Sequence, residues 1–181
     1  DIKKEGKIIY GKNLLNVLPD VTAKNVDKSR TRELVLVRLA NQLFYTPKCI
    51  LSGVSSEYER MIFVYVSARN ILDIPTILLA LNGTMLSTYE ERVDFIREKF
   101  HSFNWAESMG SSFVEHLGIA LNIKEDPRFE VNHADIYRWL IQDYEHLLNY
   151  LCDSPSIEKE CMCDVILRQG LNFLKGKRKW K

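Results

Sequence analysis

The sequence predicts an all-α fold: a single-domain bundle of seven or eight helices wrapped around a central apolar helix at Asn104 to Asn122. Three observations carry this prediction. Ser56 to Glu59 and Ser87 to Glu90 both have the Ser-x-x-Glu form of a capping box, in which hydroxyl and carboxylate each satisfy a backbone amide left open at a helix start. Trp105, Met109, Phe113, Leu117 and Leu121 recur every four residues, which places them on one helical face. At 181 residues, with 46% apolar and 27% charged side chains, the chain has globular composition and the length of one domain.

The elements follow in order. Ile8, Ile9, Leu14, Leu15 and Val17 surround Gly11 and read as a short first helix, with a hairpin as the other reading. Pro19 to Asn25 is turn-like. A second helix starts near Asp27 or Ser29 and runs to Phe44, ahead of Pro47. The Ser56 box opens a helix from Glu57 to Asn70. Asp73 then caps a separate short apolar helix, Ile74 to Leu81, with Pro75 in its first turn and Asn82-Gly83 as its stop. The Ser87 box opens a helix to His101.

Asn104 caps the central helix, in which Gly110, Gly118 and Ala120 allow close approach by neighbours. Asn132 caps the next, with Ile136, Trp139, Leu140, Leu147, Leu148 and Leu151 as its core face, so Trp105 and Trp139 are both expected to be buried. Ser154-Pro155 starts a last helix reaching Leu174. No internal repeat or low-complexity linker divides residues 1–181, and a basic tail, 175–181, closes the single domain.

Charge and composition narrow the function. Lys plus Arg number 25 against 24 Asp plus Glu, so no overall positive field favours nucleic acid, and none is expected as a partner. The local exception is Lys175, Lys177, Arg178, Lys179 and Lys181 around Trp180, a composition suited to contact with an anionic membrane surface. No run approaches the roughly eighteen apolar residues of a bilayer span, and Asp1-Ile2-Lys3-Lys4 lacks a signal-peptide character. A cytoplasmic location is expected, with attachment to intracellular membranes if an anchor follows Lys181.

The four cysteines, Cys49, Cys152, Cys161 and Cys163, have neither zinc spacing nor a disulfide framework. His101, His116, His133 and His146 are too scattered for a ligand set, and no nucleophile and base stand in a catalytic spacing. The expectation is a protein without enzyme activity, metal or cofactor, acting through recognition between helices.

Two segments carry a family resemblance. Val35 to Leu43 is an amphipathic helix with Leu36 and Leu39 on one side, the small Ala40 four residues after Leu36, and Asn41 beside it. It resembles the homology-three helix of the B-cell-lymphoma-two (Bcl) family of apoptosis regulators, whose pattern is Leu, three residues, a small residue and Asp. Asn41 stands at the Asp position and drops the charge. Asn104-Trp105 resembles the start of the family's homology-one motif, Asn-Trp-Gly-Arg, with Ala106-Glu107 in place of Gly-Arg. Ile136 to Trp139 resembles a following aromatic helix, and Tyr150-Leu151 before Pro155-Ser156 a degenerate homology-two turn.

The resemblance, spanning Leu34 to Leu151, implies a Bcl-like bundle whose surface groove holds an amphipathic death-motif helix from another protein. It implies Leu36, Leu39, Ala40 and Asn41 as a homology-three-like helix and Asn104, Trp105 and Glu107 as a homology-one-like motif. Leu43, Ile96, Phe100 and Phe113 would line the groove, with Glu107 at its rim. Where the family carries Arg against a ligand Asp, Glu107 would repel that Asp and favour a cation. The alternative is a helical scaffold or adaptor domain of a larger protein, without a groove.

Overall fold

The computed structural model describes residues 34–35, 37–42, 56–126 and 128–153. Among these the chain is all-helical. A leading helical segment (34–35 and 37–42) is followed by α1 (Glu57–Leu81), α2 (Tyr89–Lys99), a 3-10 turn (Phe100–Ser102), α3 (Ala106–Met109), α4 (Ser112–Glu125) and α5 (His133–Asp153). The first helix, the last helix from Ser154, the tail 175–181, Leu36, Leu43, Cys49, Cys161 and Cys163 lie outside the described residues.

Helix ends form where the capping chemistry places them. The Ser56 hydroxyl accepts from the Glu59 amide (3.2 Å), and the Glu59 carboxylate accepts from the Ser56 amide (2.9 Å). At the far end of α1, Gly83 turns the chain with φ +76°. Its amide donates to the Ala80 carbonyl and that of Thr84 to the Leu79 carbonyl, the paired bonds of a Schellman stop. The second box sits one residue later than the sequence predicts: Thr88, not Ser87, is the cap of α2. Glu91 accepts from the amides of both Ser87 (2.9 Å) and Thr88 (3.2 Å), two open donors that one carboxylate satisfies together. Asn132 starts α5, its side chain accepting from the Ala134 amide at 2.9 Å.

Three expectations are corrected. The helix from Glu57 does not end at Asn70, and Asp73 caps nothing: α1 is one helix of 25 residues running through Pro75. Proline loses its own amide bond to the preceding turn and its ring crowds the carbonyl one turn back, and tertiary packing outweighs both costs, because Ile71, Leu72, Ile74, Ile77, Leu78 and Leu79 are all buried. As a continuous helix α1 is long and apolar enough to cross a bilayer, although 67% of its most apolar window is buried inside the bundle, the situation of a core helix. Second, α1 rather than the segment 104–122 is the central element, since α2, α4 and α5 all pack against it.

Third, the segment 104–122 is not one helix. Gly110 adopts φ +74° and ψ 157°, which separates the four-residue α3 from α4. The apolar spacing survives the break: Trp105, Met109, Phe113 and Leu117 are all buried, with Leu121 half-buried. On α5, Ile136, Leu140, Leu147 and Leu151 face the core as predicted, joined by Asp143 and Tyr144, while Trp139 is only partly buried and stacks on the His116 ring. Tyr150-Leu151 lies within α5 and forms no turn.

The leading segment docks on α1 largely through polar groups. Val35 is its buried apolar anchor. Beside it Gln42 donates to the Ser67 hydroxyl (2.9 Å) and accepts from Asn70 (2.8 Å), and Arg38 pairs with Asp73, whose other oxygen accepts from the Tyr89 hydroxyl at 2.8 Å. Buried polar groups need such partners, and each one here finds its partner on a neighbouring helix.

Candidate helix-binding site

The turn from α2 to α4 builds a depression of about 550 Å³, bordered by Phe100, His101, Phe103, Asn104, Ala106, Glu107, Gly110 and Ser111. The sequence makes it in steps. The helix after Thr88 tightens into the 3-10 turn at Phe100, and Trp105 then drives inward as the anchor of the segment. Its indole stacks on Phe103 (4.5 Å between centroids, 10° between planes) and meets Phe100 and Phe113 edge to face at 5.8 and 6.4 Å. Its Nε1 is buried without an acceptor. Burying Trp105 puts Ala106 and Met109 inward and leaves Glu107 and Ser108 outward, and Gly110 ends α3 before it can run on into α4.

Glu107 is exposed at the rim and has no ion pair among the described residues. The α5 face behind α3 contacts the two ends of that short segment. His146 Nδ1 donates to the Met109 carbonyl at 3.0 Å, and the Tyr150 hydroxyl donates to the Asn104 side-chain oxygen at 3.3 Å. Asn104 therefore braces the entry to α3 and caps no helix; the residue at the cap position is Trp105, which has no side-chain hydroxyl or carboxylate to do so.

The residues singled out in the sequence are thus divided. Phe100, Asn104 and Glu107 meet at one depression. Ile96 and Phe113 do not line it: both are fully buried in the core, Phe113 against the Trp105 ring. In the leading segment Leu39 packs partly buried against the core, Ala40 is half-buried and Asn41 is exposed.

Sequence reasoning missed two features. Inside the bundle His116 and Asp143 pair across α4 and α5, at 3.0 Å from Nδ1 to each carboxylate oxygen. Burial pushes the Asp143 carboxyl above its ordinary range, opposed by the His116 hydrogen bond and charge and by the His146 charge. The pair is buried between the two helices and braces one against the other. The second feature is a shallow depression of about 760 Å³ between the start of α1 and residues 128–133, where Met61 and Phe129 are exposed. Its walls carry Glu57, Arg60, Arg128 and Glu130, a mixed rim that selects no sign of charge.

Among the described residues no group of three His, Cys, Asp or Glu side chains could hold a metal ion. Comparison of the chain with protein-family models, curated protein sequences and solved structures found no match in any of the three.

Proposed function

We propose that this protein is a regulator of apoptosis or signalling that acts by protein–protein interaction, holding an amphipathic helix at the depression between the 3-10 turn and α3. The observation that carries the reading is Glu107: an exposed carboxylate with no ion pair among the described residues, at the rim of a concavity floored by Phe100, Phe103 and Ala106. Apolar contact combined with a charge at the rim is the chemistry of helix-in-groove recognition. The all-helical bundle and the resemblance at Asn104-Trp105 agree with it. Further members of this reading are a Bcl-like arrangement of the bundle and contact of the tail 175–181 with a membrane surface.

The partner helix carries a cation, not the Asp of the usual death motif, at the position that meets Glu107. Calorimetric titration of two matched amphipathic peptides, one with Lys and one with Asp at the central position, tests this. The Lys peptide should bind the wild-type chain more tightly, and Glu107→Arg should reverse the order. A coupling of zero between the two changes would remove Glu107 from the interface.

A helical scaffold domain without a groove is the second reading. The observation that favours it is the complete burial of Ile96 and Phe113, which takes two of the expected lining side chains away from the surface. Failure of both peptides to bind would support it.

A further inference from the structure

The wall of the depression that carries Glu107 is the four-residue helix α3, and so short a helix does not hold its own position. It has two backbone bonds of helical type, from Met109 to the Trp105 carbonyl and from Gly110 to the Ala106 carbonyl, and helices of this length are unstable without outside support. Its inner face is anchored by Trp105, Ala106 and Met109. The aromatic contacts of Trp105 with Phe100, Phe103 and Phe113 seat the start of α3, and hydrogen bonds add directional restraint at its two ends.

Those bonds come from one neighbour. His146 and Tyr150 stand four residues apart on α5, hence on one face of that helix, and reach the two ends of the wall. The Met109 carbonyl can only accept, so Nδ1 of His146 carries the hydrogen in this contact (3.0 Å); the Tyr150 hydroxyl reaches Asn104 at 3.3 Å. One grips the end of α3 and the other the residue before its cap, with Glu107 between them.

We propose that His146 and Tyr150 are positioning residues of the candidate site: they fix the rotation of α3 and so aim Glu107, without themselves bordering the depression. The proposal rests on the reading that this depression receives a helix, but the restraint on α3 is measurable without a ligand. Neither residue is among those that border the concavity, so neither is expected to touch the bound peptide.

The experiment uses His146→Leu, His146→Asn and Tyr150→Phe in the full chain. Asparagine keeps a donor at the place of Nδ1, leucine keeps the volume without one, and phenylalanine loses a single oxygen. Hydrogen exchange of the amides of residues 104–111 is measured first, without peptide. The Leu and Phe variants should exchange roughly three- to ten-fold faster there, the ratio matching one net hydrogen bond, with melting temperature little changed and with Asn restoring the wild-type rate. The Lys-bearing peptide is then titrated, and its affinity should fall by roughly three- to ten-fold in the Leu and Phe variants and recover in Asn.

If exchange is unchanged in both variants, or Leu and Asn behave alike, the proposal is overturned. Should the Leu variant lose its helical circular dichroism, Tyr150→Phe decides alone. Faster exchange in a protein that binds neither peptide would uphold the positioning role while removing the helix-binding reading, so the two fail separately.

Discussion

His116 Nδ1 lies 3.0 Å from both carboxylate oxygens of Asp143, so one imidazole N–H, shared between two acceptors, ties α4 to α5 inside the bundle. Asp143 is fully buried, and the Trp139 ring stacks on the imidazole at 5.1 Å, closing the pair from solvent. Because burial dominates, the folded-state carboxyl binds its proton more tightly than the unfolded one. Asp143 therefore contributes stability that is present below the ordinary carboxylate range and is lost as pH rises through the raised value. Asp143→Asn keeps an acceptor for His116 and cannot ionise. Urea denaturation at several pH values from about 4 to 7 should show the wild-type chain losing stability relative to this variant as pH rises; parallel profiles would show that burial does not govern this carboxyl.

Trp105 is the anchor of the candidate site, enclosed by Phe100, Phe103 and Phe113. Trp105→Ala should destabilise the chain by about 3 to 5 kcal/mol through the cavity it leaves. Trp105→Phe should cost well under half of that, since the indole N–H it removes is buried without an acceptor and so contributes no bond to lose. The two denaturation midpoints measured side by side check both statements.

Arg38 and Asp73 link the leading segment to α1 with little exposure on either side chain, 14% and 7%. Removing one partner of such a pair leaves the other charge buried and uncompensated, so Arg38→Met should cost roughly 3 kcal/mol. Tyr89→Phe takes away only a hydroxyl donor to the same carboxylate and should cost about 1 kcal/mol. A double-mutant cycle on Arg38 and Asp73 would give the coupling, and a value near zero would mean that the pair adds nothing to docking of the segment.

Gly110 sits at φ +74° and ψ 157°, a region that only glycine enters readily, and an added Cβ would meet nothing within 4 Å. The penalty of Gly110→Ala is then backbone strain alone, about 1 to 3 kcal/mol. Because the strain is relieved by moving the junction of α3 and α4, affinity for the Lys-bearing peptide should fall as well. Equal stability and equal affinity in the variant would show that the junction tolerates a side chain as it stands.

The sequence by itself determined the helical class, the helix starts at Ser56 and Asn132 and the stop at Asn82-Gly83. Those signals are local: Ser56 with Glu59, Asn132 with Ala134, and Gly83 after Asn82 satisfy backbone groups within a few residues, so their chemistry can be read from spacing. Burial of Trp105, Met109, Phe113 and Leu117 was likewise legible in their period of four. Tertiary structure decided what local rules leave open. Asp73 and Pro75 look like a helix start, yet the chain stays helical because Arg38 and Tyr89 satisfy Asp73 and the apolar side chains around Pro75 are buried against other helices. Ile96 and Phe113 look equally fit for a groove or a core, since apolar periodicity marks a buried face without naming what covers it. His116 with Asp143, and His146 with Met109, are joined over 27 and 37 residues, and no spacing rule reaches so far. Only the packing of α4 and α5 on α1, and of α3 against α5, brings those groups within hydrogen-bonding distance, where burial makes each contact count.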